Sequence, residues 1–253
     1  MRCDFSGRVA LVTGATGEIG AGVAAALLDQ GATVWAVDLR PPPRVPGVAA
    51  ERERFVQADI TDAGAVADLV ARIAAEDGGP DLVVNAAGGP GSVRTPVDEV
   101  RDEDWARVVA LNLDAAFYVC REATRALKRQ RRPGSIVNIS SGAGRTYSRT
   151  GVQAYASAKA GVIGLTRQLA RELGPFGIRV NCVAPGLIRT NGTRDELARL
   201  PEERLREHLS GVALGRLGEA DELVDPILFF LDDGARYVTG QTVSVDGGAV
   251  MLG

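Results

Sequence analysis

Residues 13–20 read TGATGEIG and directly follow the apolar run Val9–Thr13. The run is β-branched, the turn carries glycines at Gly14, Gly17 and Gly20, and apolar residues then recur at Ile19, Val23 and Leu27. This pattern predicts strand, tight turn and helix in that order. A helix N-terminus presents outward N–H groups and the positive end of a dipole, so it favours an anion. Glycine lets the backbone approach a phosphate closely and adopt positive φ. The unit therefore predicts a dinucleotide site, with Gly14, Thr16, Gly17, Glu18, Ile19 and Gly20 around the pyrophosphate. Gly17 is expected to supply the backbone freedom and Glu18 to turn toward solvent.

Asp38 ends the next strand candidate, about 20 residues beyond the turn, where an acid can accept hydrogen bonds from ribose hydroxyls. It also repels a 2′-phosphate. The expected cofactor is NAD, with NADP the lesser alternative; Arg40, two positions on, is the group that could receive a phosphate.

Outward from this unit, short apolar runs alternate with amphipathic stretches. The strand candidates are Val9–Thr13, Thr33–Asp38, Phe55–Ala58, Leu82–Asn85, Ser135–Ser140, Arg179–Ala184 and Thr242–Val245. Runs such as LVVN and IVNIS are apolar on both faces, as parallel strands covered on both sides are. The helical patterns are Ile19–Gln30, Ala63–Glu76, Asp102–Arg129, Val152–Leu173, Glu202–Leu209 and Ala220–Leu231. Repeated β-α-β alternation predicts an α/β fold. We expect a single Rossmann-type doubly wound domain over residues 1–253, with a seven-stranded parallel sheet flanked by helices on both faces. Leu187–Leu217 is the least patterned region and is expected to be a substrate loop or lid.

Composition narrows the function classes. The 253 residues are 45% hydrophobic and carry a net charge of −3, so nothing favours nucleic acid or acidic membranes as partners. Cys3, Cys120 and Cys182 lie far apart and form no ligand spacing, so neither disulfides nor a metal is expected. The N-terminus has no apolar signal core, and no apolar run reaches the roughly 18 residues a membrane span needs. A cytoplasmic location is expected. His208, the lone histidine, has no partner acid pattern and is expected at the surface.

Two further motifs carry chemistry. Tyr155 and Lys159, in YASAK, are spaced i and i+4 on a predicted helix and so share a face. A neighbouring ammonium favours a phenolate and brings tyrosine toward use as a proton donor and acceptor. Upstream, NISSGAG places Ser140 and Ser141 at the carboxyl end of a predicted central strand, the edge that faces the ligand crevice in such sheets.

Together these motifs resemble the short-chain dehydrogenase/reductase family, in its single-domain branch. The resemblance covers nearly the whole chain, in order: TGATGEIG at 13, Asp59 in QADI, NAAG at 85, Asn112 in LNL, Ser141, YASAK at 155, APGLIRT at 184 and VTGQTVSVDGG at 238. It implies that Tyr155 exchanges a proton with the substrate oxygen and that Lys159 holds the nicotinamide ribose and lowers the tyrosine pKa. It implies that Ser141 hydrogen-bonds the substrate oxygen and that Asn112 supports a water linked to Lys159. Cofactor contacts are implied for Asp38 and Leu39 at the ribose and for Asp59 and Ile60 at the adenine. Asn85, Ala86, Ala87 and Gly88 are implied as the cofactor floor, and Pro185, Gly186, Ile188 and Thr190 at the nicotinamide. Hydride then passes between NAD(H) and a secondary alcohol or ketone.

Single-domain members usually carry glycine where Glu18 stands. The Gly14-x-x-Gly17-x-x-Gly20 spacing resembles that of the family's larger sugar-nucleotide epimerases, but this chain ends soon after VDGG. The resemblance to 3-oxoacyl-carrier-protein reductases gives the alternative enzyme, an NADPH-dependent 3-oxoacyl-thioester reductase. Those enzymes use two basic residues to dock an acidic carrier, and the positions fall on Arg132 and Phe176. A catalytically silent NAD-binding sensor or scaffold is the alternative of another class. Arg145, Arg149, Arg189 and Arg194 flank the expected pocket. By analogy the partners are a small-molecule substrate and further copies of the chain, as a homotetramer or a homodimer.

Overall fold

A computed structural model of the chain describes residues 3–41, 51–91, 95–148, 151–199 and 201–251. The first half runs β1 (Val9–Thr13), α1 (Glu18–Asp29), β2 (Thr33–Asp38), β3 (Glu53–Gln57), α2 (Ala63–Asp77), β4 (Leu82–Asn85), α3 (Asp102–Val109) and α4 (Ala115–Gln130). The second half runs β5 (Gly134–Ile139), α5 (Gly142–Arg145), α6 (Gln153–Leu173), β6 (Ile178–Pro185), β7 (Ile188–Arg189), α7 (Asn191–Arg199), α8 (Glu202–Ser210), β8 (Gly218–Glu219), α9 (Val224–Leu231) and β9 (Thr242–Val245). Among the described residues seven strands form one parallel sheet in the order β3-β2-β1-β4-β5-β6-β9. This is the doubly wound Rossmann-type fold expected from the alternation.

The period-two geometry of a strand decides which helices cover which face. Val9 and Leu11 of β1 point to one side and pack with Val66, Leu69 and Ile73 of α2 and Val119 and Ala123 of α4. Ala10 and Val12 point to the other and pack with Val23 and Leu27 of α1 and Ile227 and Phe230 of α9. Both faces are dry, which is why β4 and β5 read as continuous apolar runs.

Several expectations are corrected. The stretch expected as one helix over Asp102–Arg129 contains a π-helical turn at Ala110–Asp114 between α3 and α4. The 187–217 region is not structureless: it holds α7 and α8, and β7 pairs with β8. Most of Arg40–Pro46, together with Arg149, lies outside the described residues.

The amino ends of the strands are tied by charge. Arg8 and Arg132 both donate to the buried Asp81 carboxylate. Arg179 donates to the carbonyls of Phe230, Leu231 and Asp232, which end α9 and lack intrahelical donors. Arg132 therefore serves as a structural clasp at the edge opposite the carboxyl ends of the strands. Phe176, 51% exposed, sits under the Lys128 ammonium, which is 4.1 Å from its ring centroid.

Candidate active site

The strand order reverses between β1 and β4, and a ligand crevice opens at their carboxyl ends. Two loops meet there. Gly14 has φ +67°, and a Cβ on it would come within 2.6–2.9 Å of the backbone of Ala86 and Ala87. Only glycine lets the β1–α1 turn lie against the end of β4. A Cβ on Gly20 would strike the Gly14 carbonyl, so the first turn of α1 is equally close. Thr13 adds a contact that the sequence reading missed: its hydroxyl accepts from the Ala87 N–H at 3.3 Å.

The expectation for Gly17 is overturned. Gly14 supplies the left-handed residue, whereas Gly17 is extended at φ −76° and ψ 150°. Glu18 opens α1 in helical conformation and carries no positive φ, because the four-residue turn Gly14–Gly17 has already reversed the chain. Its carboxylate lies at the surface, where it accepts from the Asn191 N–H at the start of α7.

Asp38 closes the same loop. Its carboxylate accepts from the Thr16 N–H at 3.1 Å and sits half-buried beside the turn. Leu39 beyond it is exposed. The Ala58 N–H donates to the Asp38 carbonyl, which brings the end of β3 alongside. Asp59 is exposed in a turn closed by its own hydrogen bonds to Thr61, and Ile60 is buried behind it.

Asn85 does not line the floor. It is 4% exposed, and its amide donates inward to Asn138 Oδ1 at 2.8 Å and to Cys120 Sγ at 3.3 Å. Asn138 in turn donates to the Thr166 hydroxyl. This buried chain bolts β4, β5, α4 and α6 together below the crevice, because β4 alternates and Asn85 falls on its inner side. Ala86, Ala87 and Gly88 are left to form the surface above it.

Asn112 occupies the π-helical turn, and its side chain faces the crevice base. It donates to the carbonyls of Gly89 and Val108 and accepts from the Gly89 N–H. A Cβ on Gly88 would lie 2.7 Å from Asn112 Oδ1 and 3.0 Å from Lys159 Nζ. Asn112 and Lys159 thus meet on one side of Gly88.

Ser141 lies just beyond β5 and caps α5, accepting from the Ala143 N–H at 3.2 Å. Tyr155 and Lys159 lie on one face of α6. The Lys159 ammonium is 5.7 Å from the Tyr155 ring centroid and donates to the Ile139 carbonyl at 2.8 Å. Ser140, expected at the edge that faces the crevice, instead donates to the Lys159 carbonyl, and Gly144 lets α5 rest on the α6 backbone at that point. These contacts seat α6 against the end of β5.

The electrostatics differ from the simple tyrosine–ammonium expectation. Burial raises the Tyr155 pKa, and a hydrogen bond with Ser141 opposes the rise. Burial also pushes the Lys159 ammonium down to about 8. The ammonium is directed at a backbone carbonyl, so desolvation outweighs its pull on the phenol.

Gly186 packs against Asp246, and Ile188 is buried. The Thr190 N–H donates to the Thr193 hydroxyl, which donates in turn to the Ile188 carbonyl, so the 188–193 turn is closed on itself. At the far end of this region the Leu214 N–H donates to the Gly247 carbonyl. Arg145 is held by the Thr242 carbonyl and the Ser244 hydroxyl, and Arg189 pairs with Glu219. Arg194 is exposed.

A family model described as enoyl-(acyl carrier protein) reductase matches residues 14–250. The chain belongs to the short-chain dehydrogenase/reductase family. It is 36% identical to a 3-oxoacyl-[acyl-carrier-protein] reductase from Thermotoga maritima, over 98% of this chain and 99% of that one. It superposes with a TM-score of 0.87 on a glucose/ribitol-type short-chain dehydrogenase/reductase from Brucella melitensis, 32% identical over all of both chains. It superposes with a TM-score of 0.88 on a short-chain dehydrogenase from Leptospira borgpetersenii solved with bound NAD+, 30% identical over 98% of this chain and 94% of that one.

As a short-chain dehydrogenase/reductase the protein is an oxidoreductase for CH–OH and C=O groups that takes a nicotinamide cofactor. The residues present fit that cofactor. α1 has no side-chain cap, the glycines at 14 and 20 draw the β1–α1 turn tight against its N-terminus, and Asp38 stands beside that turn. Among the described residues no helix is long and apolar enough to cross a membrane.

Proposed function

We propose that this protein is an NAD-dependent dehydrogenase or ketone reductase for a small secondary alcohol, with Ser141, Tyr155, Lys159 and Asn112 as its working residues. The observation that carries the reading is the convergence of Tyr155, Lys159 and Asn112 on the crevice behind the glycine turn, with Ser141 beside the phenol. A bound nicotinamide supplies the hydride exchange at its C4 carbon. The chain does the rest. Ser141 holds the substrate oxygen, and Tyr155 gives or takes the proton at that oxygen. Lys159 contacts the cofactor ribose, and Asn112 fixes the Gly88–Gly89 backbone beside it. Gly14, Thr16, Gly17, Ile19 and Gly20 hold the pyrophosphate, and Asp38 with Leu39 the adenosine ribose. Asp59 and Ile60 bound the adenine, while Pro185, Gly186, Ile188 and Thr190 meet the nicotinamide.

Asp38 favours NAD, since its carboxylate lies beside the turn and repels a 2′-phosphate. The 187–217 segment acts as the substrate lid of a single catalytic domain. The working assembly is a tetramer in the cytoplasm; β9 forms a sheet edge, and its Val243 is 44% exposed. A second reading, NADPH-dependent reduction of a 3-oxoacyl thioester, is favoured by the Thermotoga maritima relative. Arg132 gives that reading no support, because its guanidinium is engaged by Asp81 and the Gly78 carbonyl.

The test is an oxidation screen with NAD and NADP over sugar alcohols, hydroxy acids, cyclic alcohols and 3-hydroxyacyl thioesters, with Tyr155→Phe as control. Turnover with NAD on a small alcohol, lowered about 10²- to 10⁴-fold in the variant, is the expected result. Turnover restricted to thioesters with NADP moves the assignment to the second reading.

A further inference from the structure

Glu18 stands where single-domain relatives usually have glycine, and the fold gives it a partner 173 residues away. It is the first residue of α1, and its carboxylate Oε2 accepts from the N–H of Asn191, the first residue of α7. The first N–H groups of a helix lack intrahelical acceptors and carry partial positive charge. One carboxylate is therefore placed against the positive ends of two helices. The Thr190–Thr193 turn is closed on itself, so the entrance to the lid moves as a unit with Asn191.

The α1 N-terminus is also where a dinucleotide pyrophosphate belongs, and the inference rests on that reading. A pyrophosphate and the Glu18 carboxylate draw on the same positive field and repel one another. We propose that Glu18 is a positioning residue that couples the substrate lid to the cofactor loop. Its carboxylate tethers Asn191 when no anion lies on α1, and an arriving pyrophosphate displaces it, passing the lid entrance to the nicotinamide contact at Thr190. Linkage makes the effect reciprocal: the factor by which a dinucleotide loosens the tether is the factor by which the tether weakens dinucleotide binding. A glycine at this position has no side chain with which to make the link.

The experiment has two arms on the full chain. Amide hydrogen exchange at Asn191 is measured in the cofactor-free wild type, Glu18→Ala and Glu18→Gln. Loss of a hydrogen bond to a charged group should speed exchange in Glu18→Ala about tenfold. NADH binding to the same proteins is followed by nicotinamide fluorescence, and Glu18→Gln should bind with a Kd about three- to tenfold lower. Circular dichroism melting establishes that each variant is folded. Unchanged exchange in Glu18→Ala overturns the tether. Unchanged or weaker NADH binding in Glu18→Gln overturns the competition. Failure of the wild type to bind any NADH overturns the dinucleotide reading and the displacement with it, while the exchange arm still decides the tether.

Discussion

The Lys159 ammonium donates to the Ile139 carbonyl at 2.8 Å while 4% exposed. A charge in that position is poorly solvated, which is why its pKa falls from 10.5 to about 8. In the unfolded chain the amine stays protonated to about 10.5, so between about 8 and 10.5 the unfolded state binds more protons. Stability then rises with pH across that window, and the burial penalty is present in full below it. Urea denaturation of wild type and Lys159→Met at pH 8 and pH 9.5 should show the wild type gaining about 1–2 kcal/mol on the variant. Parallel pH profiles for the two proteins would contradict the assignment.

Ser141 acts on the Tyr155 phenol, and in the proposed reading it also holds the substrate oxygen. Its hydrogen bond opposes the upward push of burial. Ser141→Ala should lower kcat/KM for alcohol oxidation about 10²- to 10³-fold. It should also move the acid limb of the pH profile to higher pH, since the phenol loses the group that favours its ionised form. A fall in rate with an unmoved limb would leave Ser141 as a substrate contact alone.

Asp38 is a third test. Its carboxylate accepts from the Thr16 N–H, so Asp38→Asn weakens the turn and removes the negative charge beside it. The ratio of kcat/KM with NAD to that with NADP should fall about tenfold. An unchanged ratio would assign cofactor preference elsewhere.

Gly144 tests positioning without touching a reacting atom. A Cβ there would lie 2.5–2.8 Å from Lys159 C, Ala160 N and Lys159 O, all backbone atoms that cannot swing aside. Gly144→Ala should destabilise the protein by about 1–3 kcal/mol. It should also lower kcat, because α5 and Ser141 shift relative to Lys159. Thermal melting and steady-state rates measure both; a variant with wild-type melting and wild-type kcat would show that α5 has room to move.

Local pattern carried much of the architecture. Val9–Thr13, Thr33–Asp38, Leu82–Asn85 and Thr242–Val245 are strands with the bounds their β-branched runs predict. The parallel sheet follows from their alternation with helical patterns, because burial on both faces leaves a mark on each strand separately. Tyr155 and Lys159 were legible for the same reason, since a helix brings i and i+4 together whatever surrounds it. What the chain order could not reveal was the direction and partner of side chains whose neighbours are remote. Asn85 looked like part of the floor, yet the pleat of β4 turns it inward to Asn138, 53 residues on. The left-handed residue in the phosphate turn is Gly14 because the end of β4 presses on it, a contact between residues 14 and 87. Glu18 finds Asn191 only when the sheet has folded and set two helix N-termini side by side. Period and propensity are properties of neighbours along the chain, whereas desolvation, steric contact and charge pairing depend on distance in space, and only the folded structure assigns those distances.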